Sequence, residues 1–445
     1  MAQPPFSSAT VFNHPLAFAR QQLGLSQRDL ALLLGRRLRG GGRQEKVARW
    51  ESGTVEPDMD AQLVIAEILG VPADRLRKLL WPNWLPMGGQ FSVEGVWTPE
   101  NCQSLLEASV GELVLDRRGF VTLAAGSVDI LAREWRSVGH AVPEVLGGMT
   151  GDIADSFEPR LPWLRDLEDL HGGGRVRRLV DAELRFVGEL LQDTGHRGPQ
   201  SRRLFRMVAD LCRIGGWASV DAGYLAAAER YFVLGMRAAR AGGDPLAGAN
   251  LLKCMSLLLA EAGRPRDALL LAGSAVEGTA GAPPRVRAML TVRQARVHAV
   301  LNEQYACERL LGLAESAMAE ADGEPCPDWA TYFDAAEYAA QVAACHLALR
   351  NFADCDRSLE RATRLQPASR ARDGVTYQLW RAESAVRLGD IERACVHLMD
   401  VVPLVAGGSS SRNRLRFRRV RRLLRPHRAL PYVRDLDAQA VALLA

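Results

Sequence analysis

Five short segments constrain this chain more than anything else in it: Gly223 to Ala228, Gly263 to Ala268, Asn302 to Cys307, Arg350 to Cys355 and Gly389 to Ala394. Each begins with a turn-permissive or polar residue, and each carries Ala or Cys five positions later. Successive segments start 40, 39, 48 and 39 residues apart, a period at which repetition means stacked pairs of helices. The first position lets the chain reverse between the two helices of a pair. The small residue sits where neighbouring repeats approach closest. Around the segments the sequence is rich in Ala, Leu and Arg, which are good helix formers, so the expected class is all-α.

The plan resembles the tetratricopeptide repeat, with spacings longer than its usual ~34 residues; armadillo-like helix pairs fit the same pattern. The array is expected over residues 175–405, with a C-terminal unit of basic capping helices at 406–445. In that unit Arg412 to Arg428 holds nine arginines around a Phe417, Val420, Leu424 stripe. It reads either as an end cap with a polar outer face or as a second surface for DNA backbone or protein. Cys307 and Cys355 are expected as small core residues.

Residues 14–81 have a different grain. Pro15 to Leu23 reads as a helix, Ser26 caps a second that Gly35 closes, and Gln44 to Glu51 forms a third with Val47 and Trp50 on its apolar side, stopped by Gly53. Helices from Ala61 to Leu69 and from Asp74 to about Leu80 complete a five-helix unit.

Arg20 ahead of Ser26-Gln27, then Leu30-Ala31, then Val47-x-x-Trp50-Glu51-x-Gly53 and Leu69-Gly70-Val71 together resemble the phage-repressor (Xre-type) helix-turn-helix family. The resemblance implies that the third helix enters the DNA major groove. It places Gln44, Glu45 and Arg49 at base edges, where Gln and Arg hydrogen-bond in bidentate fashion. It puts Gln27 at a phosphate, and ties Arg20 to Glu51 in a partly buried ion pair that holds the fold and reads nothing. One departure is the turn between Gly35 and Val47, which is eleven residues long where the family has about five. Its Arg36, Arg37, Arg39 and Arg43, with Lys46 beyond, read as a glycine-hinged basic flap on the DNA backbone. A tolerated, solvated insertion fits the same residues.

Charge placement agrees with local rather than general polyanion contact. The formal net charge is only +4, yet residues 14–81 carry +3, residues 406–445 carry +8, and the rest sum to −7. Residues 82–174, with scattered Pro and Gly, read as a helical linker region. The eight cysteines form no Cys-x-x-Cys pair, the first thirteen residues carry no charge and no long apolar run, and no apolar stretch is long enough to span a membrane. A reduced cytoplasmic protein is expected. No metal, phosphate-loop, nucleophile-elbow or dinucleotide motif occurs; neither cofactor nor metal nor enzymatic activity is expected.

The combination resembles regulators that join this helix-turn-helix to tetratricopeptide repeats and bind a peptide in the concave groove. It implies a sequence-specific, homodimeric regulator of double-stranded DNA, with the repeats dimerising or taking a peptide, small-molecule or protein effector. Asn250, Arg287, Gln294, Glu337, Gln341, Gln378 and Arg381 lie on the helices that would line such a groove. The alternative is an interaction scaffold whose first domain has lost DNA binding.

Overall fold

The computed structural model describes residues 15–22, 25–38, 42–51, 55–69, 97–112, 125–136, 157–171, 173–194, 198–367, 370–408 and 410–444, with a few single positions between them. Among these residues every regular element is helical, as the composition implies.

The first four helices are α1 (Pro15–Gln22), α2 (Gln27–Gly35), α3 (Gln44–Glu51) and α4 (Met59–Ile68). They close over one core of Leu16, Leu30, Ala31, Leu34, Val47, Trp50 and Ile65, to which Val71, Leu76, Trp81 and Leu85 are added. Ser26 caps α2 through a reciprocal capping box: its hydroxyl accepts from Asp29 N at 3.1 Å while the Asp29 carboxylate accepts from Ser26 N at 2.8 Å. Hydrogen bonding from the Ser26 side chain, and then from the Ser26 backbone N–H, holds the Asp29 carboxyl below its ordinary range. Gly53, Gly70 and most of the expected fifth helix lie outside the described residues.

The remaining helices are α5 (Pro99–Glu112), α6 (Ala125–Arg136), α7 (Arg160–His171), α8 (Gly173–Thr194), α9 (Pro199–Ala222), α10 (Leu225–Ala241), α11 (Pro245–Glu261), α12 (Pro265–Glu277), α13 (Pro284–Val300), α14 (Gln304–Glu320), α15 (Ala335–Ala348), α16 (Phe352–Leu365), α17 (Ala371–Leu388), α18 (Ile391–Gly407), α19 (Ser411–Leu423) and α20 (Pro431–Leu444). From α9 to α19 each helix packs on its successor, α20 packs on α18, and alternate helices α9, α11, α13, α15, α17 and α19 pack on one another in a row. The row forms an inner layer and the partners α10, α12, α14, α16 and α18 an outer one.

The five repeated segments are five copies of one turn. Gly223, Gly263, Asn302, Arg350 and Gly389 all have positive φ, between 62° and 85°. At each, the next N–H reaches back to the helix just ended, as in Tyr224 N to Ser219 O at 2.8 Å and Asn351 N to His346 O at 2.8 Å. The left-handed residue is what allows that closing bond. Five positions on, Ala228, Ala268, Cys307, Cys355 and Ala394 are all 0 % exposed. Arg350 takes this conformation at a steric cost that glycine avoids. Arg350→Gly is therefore expected to raise the stability of the α15–α16 pair by on the order of 1 kcal/mol, read as a higher chemical-denaturation midpoint.

Residues 82–174 do more than connect. Trp97, Leu106, Val128, Leu131, Trp135 and Leu164 share one core with α8–α13, because their apolar faces have no other cover. At the far end Phe417, Val420 and Leu424 pack with Val433, Leu436, Leu398 and Val402, so the apolar stripe closes the stack as a cap. The two ends of the row also meet. The Ser410 hydroxyl donates to Asp221 at 2.7 Å, and Arg372 reaches Glu168 at 3.3 Å and Asp221 at 3.6 Å. The inner layer thus curves round until α19 lies against α9.

Candidate functional site

In the N-terminal unit α3 has two unlike faces. Val47 is fully buried and Trp50 is 6 % exposed, while Gln44, Glu45, Lys46 and Arg49 are exposed. The buried side is fixed by packing. It is fixed again by charge: Arg20 Nε and Nη2 donate to Glu51 Oε1 and Oε2 at 2.6 and 3.1 Å, and Arg20 Nη1 donates to Leu25 O at 2.6 Å. The two side chains are 8 % and 6 % exposed. A bidentate pair so far out of water joins the end of α1 to the end of α3 and sets how α3 presents its outer face.

Gln27, expected at a phosphate, donates its side-chain amide to Glu51 Oε2 at 2.7 Å. It is the third donor on that carboxylate and braces the pair from α2. The physical reason is simple: Glu51 has lone pairs left over from Arg20, and a half-buried amide beside them is satisfied there.

The basic turn is less of a flap than its glycines imply. Arg36 and Arg37 continue the end of α2, with Arg36 N on Leu32 O at 3.2 Å and Arg37 N on Leu34 O at 3.1 Å, and Leu38 packs half-buried against the core. At the other end Gly42 lies directly on the backbone of α2, where a Cβ would overlap the Ala31 carbonyl. Both ends are therefore laid down, and Arg39, Gly40 and Gly41 between them lie outside the described residues. Arg36 and Arg43 are exposed; Arg37 is 3.7 Å from Glu67 in a pair open to solvent on both sides, which holds it weakly. If the turn lies on DNA backbone, Arg36→Ala and Arg37→Ala should weaken binding to every sequence alike and lower the slope of log affinity against log salt by about 1 each. Titration at several salt concentrations checks this.

Of the groove residues named from sequence, Glu337 and Gln341 sit in one network. Gln341 Nε2 donates to Glu337 Oε1 at 2.7 Å, Tyr377 donates to Glu337 Oε2 at 2.8 Å, and Arg296 Nη1 donates to Gln341 Oε1 at 3.0 Å. Burial and the neighbouring Asp373 push the Glu337 carboxyl upward, against the hydrogen bonds from Tyr377 and Gln341. Asn250 is 2 % exposed and Gln378 Oε1 is buried with no partner among the described residues. The other three point elsewhere. Arg287 pairs with Glu320 on α14, Gln294 lies by Gly273 on α12, and Arg381 pairs with Asp356 on α16 at 3.4 Å. All three face the outer layer, so the expected groove lining is corrected for them. Arg287 and Gln294 are two turns apart and share a flank of α13, whereas Arg293 and Arg296 lie one turn apart on a different side.

The interior residues missed from sequence are Lys253, Arg293, Arg296, Trp380, Arg412 and Arg416. Lys253, 2 % exposed, donates to the Tyr332 hydroxyl at 2.7 Å. Arg296 and Arg416 both lie over the Trp380 ring, at 5.5 and 5.0 Å from its centroid, and Arg412 lies 5.8 Å over Trp217. The available signal was a pair of arginines one turn apart, Arg293 and Arg296, interleaved with Val292, Ala295 and Val297 inside α13.

No family model, no curated protein and no solved structure matches the chain. Among the described residues no cluster of His, Cys, Asp or Glu is arranged to hold a metal ion, and no helix is long and apolar enough to cross a membrane.

Proposed function

We propose that this chain is a sequence-specific DNA-binding regulator of transcription. Its first unit is a repressor-type helix-turn-helix, and its helix pairs form a tetratricopeptide-like array that dimerises or takes an effector. The observation that carries the reading is the split of α3. A short helix is held by Val47, Trp50 and a nearly buried ion pair, while Gln44, Glu45, Lys46 and Arg49 stand together in solvent. All four side chains are exposed, and their chemistry is that of base-edge and phosphate contact.

One such helix touches only a few base pairs, so useful specificity calls for two copies on half-sites about 34 Å apart or a multiple of that. Selection from random duplex DNA at modest salt, using the full chain, tests the reading. Enrichment of a common sequence with two related half-sites is the expected result. Failure to enrich any sequence, with the protein folded, would leave a scaffold role in its place.

A further inference from the structure

The inside of the helix row carries more positive charge than its own carboxylates answer. Arg293 and Arg296 project from α13, and Arg412 and Arg416 from α19, one turn apart in each case. The two helices are separated in the row by α15 and α17, yet Arg296 and Arg416 meet on the same indole of Trp380.

Arg293 is only 7 % exposed, and its Nε and Nη1 have no hydrogen-bond partner among the described residues; the same holds for Arg412 Nε and Arg416 Nη1. The acids nearby are largely engaged. Glu337 is taken by Tyr377 and Gln341, and Glu383 accepts from Arg419 at 3.0 Å. Glu261, at the end of α11, remains as the acid that faces both Arg296 and Arg416. Burial, together with the neighbouring arginines, brings Arg296 down to about 9 and Arg416 to about 10.

Guanidinium groups taken out of water without a matching anion are costly, and each orphaned N–H adds to that cost. A fold that sets three of them, from two distant helices, over two indole rings and buries Arg293 one turn from Arg296 has built an anion site rather than a solvated face. The fork geometry of arginine fits carboxylate and phosphate oxygens, two at a time.

We propose that the space between α13 and α19, floored by Trp380, binds a small polyanion bearing phosphate or clustered carboxylate groups, held by Arg293, Arg296, Arg412 and Arg416. The site gives the effector of the regulator reading a chemical class, and it rests on that reading only for the consequence of binding. It also links α13 to α19, so an occupant tightens the curved row from within.

The test is calorimetric titration of the full chain with inorganic pyrophosphate and, separately, citrate, with acetate as the singly charged control. Thermal unfolding is followed in parallel. Expected are saturable binding of pyrophosphate or citrate but not acetate, and a rise in melting temperature with the bound anion. Affinity should fall on the order of tenfold or more in Arg293→Gln and in Arg416→Gln, while Arg425→Gln, on the exposed turn after α19, behaves as wild type. Preference for pyrophosphate over citrate, or the reverse, assigns the phosphate or carboxylate class. Absence of binding by folded wild type at millimolar anion would overturn the proposal, as would equal weakening by Arg425→Gln. The titration contains no DNA, so its failure leaves the DNA-binding reading standing, and a failed DNA selection leaves this site standing.

Discussion

Replacing either Arg20 or Glu51 by alanine is expected to destabilise the N-terminal unit by about 3–5 kcal/mol, because the surviving partner is left charged and almost out of water. The pair is 8 % and 6 % exposed, and every strong donor around it is committed. Arg20→Ala strands the Glu51 carboxylate with only Gln27, and frees the Leu25 carbonyl. Glu51→Ala strands the guanidinium and the Gln27 amide together. Hydrogen exchange of the α3 amides in the full chain reads this locally: both variants should show protection lost across residues 44–51 while α9–α18 is unaffected. A double variant, Arg20→Met with Glu51→Leu, removes both charges and should recover part of the loss. If the single variants exchange like wild type, the pair is not what holds α3.

The second large effect is expected at Trp135, at the end of α6. Its ring is 3 % exposed and fills a slot made by two glycines, Gly248 at the start of α11 and Gly278 just past α12. A Cβ at Gly248 would overlap the ring, and one at Gly278 would stand 2.5 Å from the indole nitrogen. Arg240 secures the same corner by donating to the Glu134 carbonyl and carboxylate, each at 3.1 Å. Trp135→Ala should cost about 3–5 kcal/mol; Trp163→Ala, 52 % exposed, should stay within about 0.5 kcal/mol of wild type. Gly248→Ala alone should be destabilising by overpacking, and nearly harmless in the Trp135→Ala background, where the added methyl enters the cavity. Chemical denaturation of the four variants closes the cycle. Independent, additive effects would show that the indole does not occupy that slot.

Much of this was readable from the chain. The five turns are local: a left-handed residue and a small residue five positions later are decided within one segment, so Gly223 and Ala228 or Gly389 and Ala394 declare themselves. Arg20 and Glu51 are far apart in sequence but belong to a patterned constellation. What was not readable depends on long-range placement. Nothing near Trp135 says that two glycines more than a hundred residues away have left room for it. Helical periodicity assigns arginine to the outside, which holds for the exposed Arg418 and Arg422 on α19 but not for Arg412 and Arg416, because the curved row has an inside. Arg287, Gln294 and Arg381 lie on inner-layer helices, as the repeat pattern implies, but face the outer layer, a difference of less than one turn. The close approach of Gly42 to the Ala31 carbonyl is likewise a tertiary placement that a run of glycines does not declare.

The outer face of α3, with Gln44 and Arg49 exposed, is proposed to read base sequence. The most direct measurement is the base-preference profile of Gln44→Ala and Arg49→Ala beside wild type, on a selected duplex whose half-site positions are varied one at a time. Each variant is expected to lose about 1–3 kcal/mol of discrimination at one or two adjacent positions and to keep it elsewhere. Profiles identical to wild type in both variants, or an even loss of affinity with no position singled out, would contradict it.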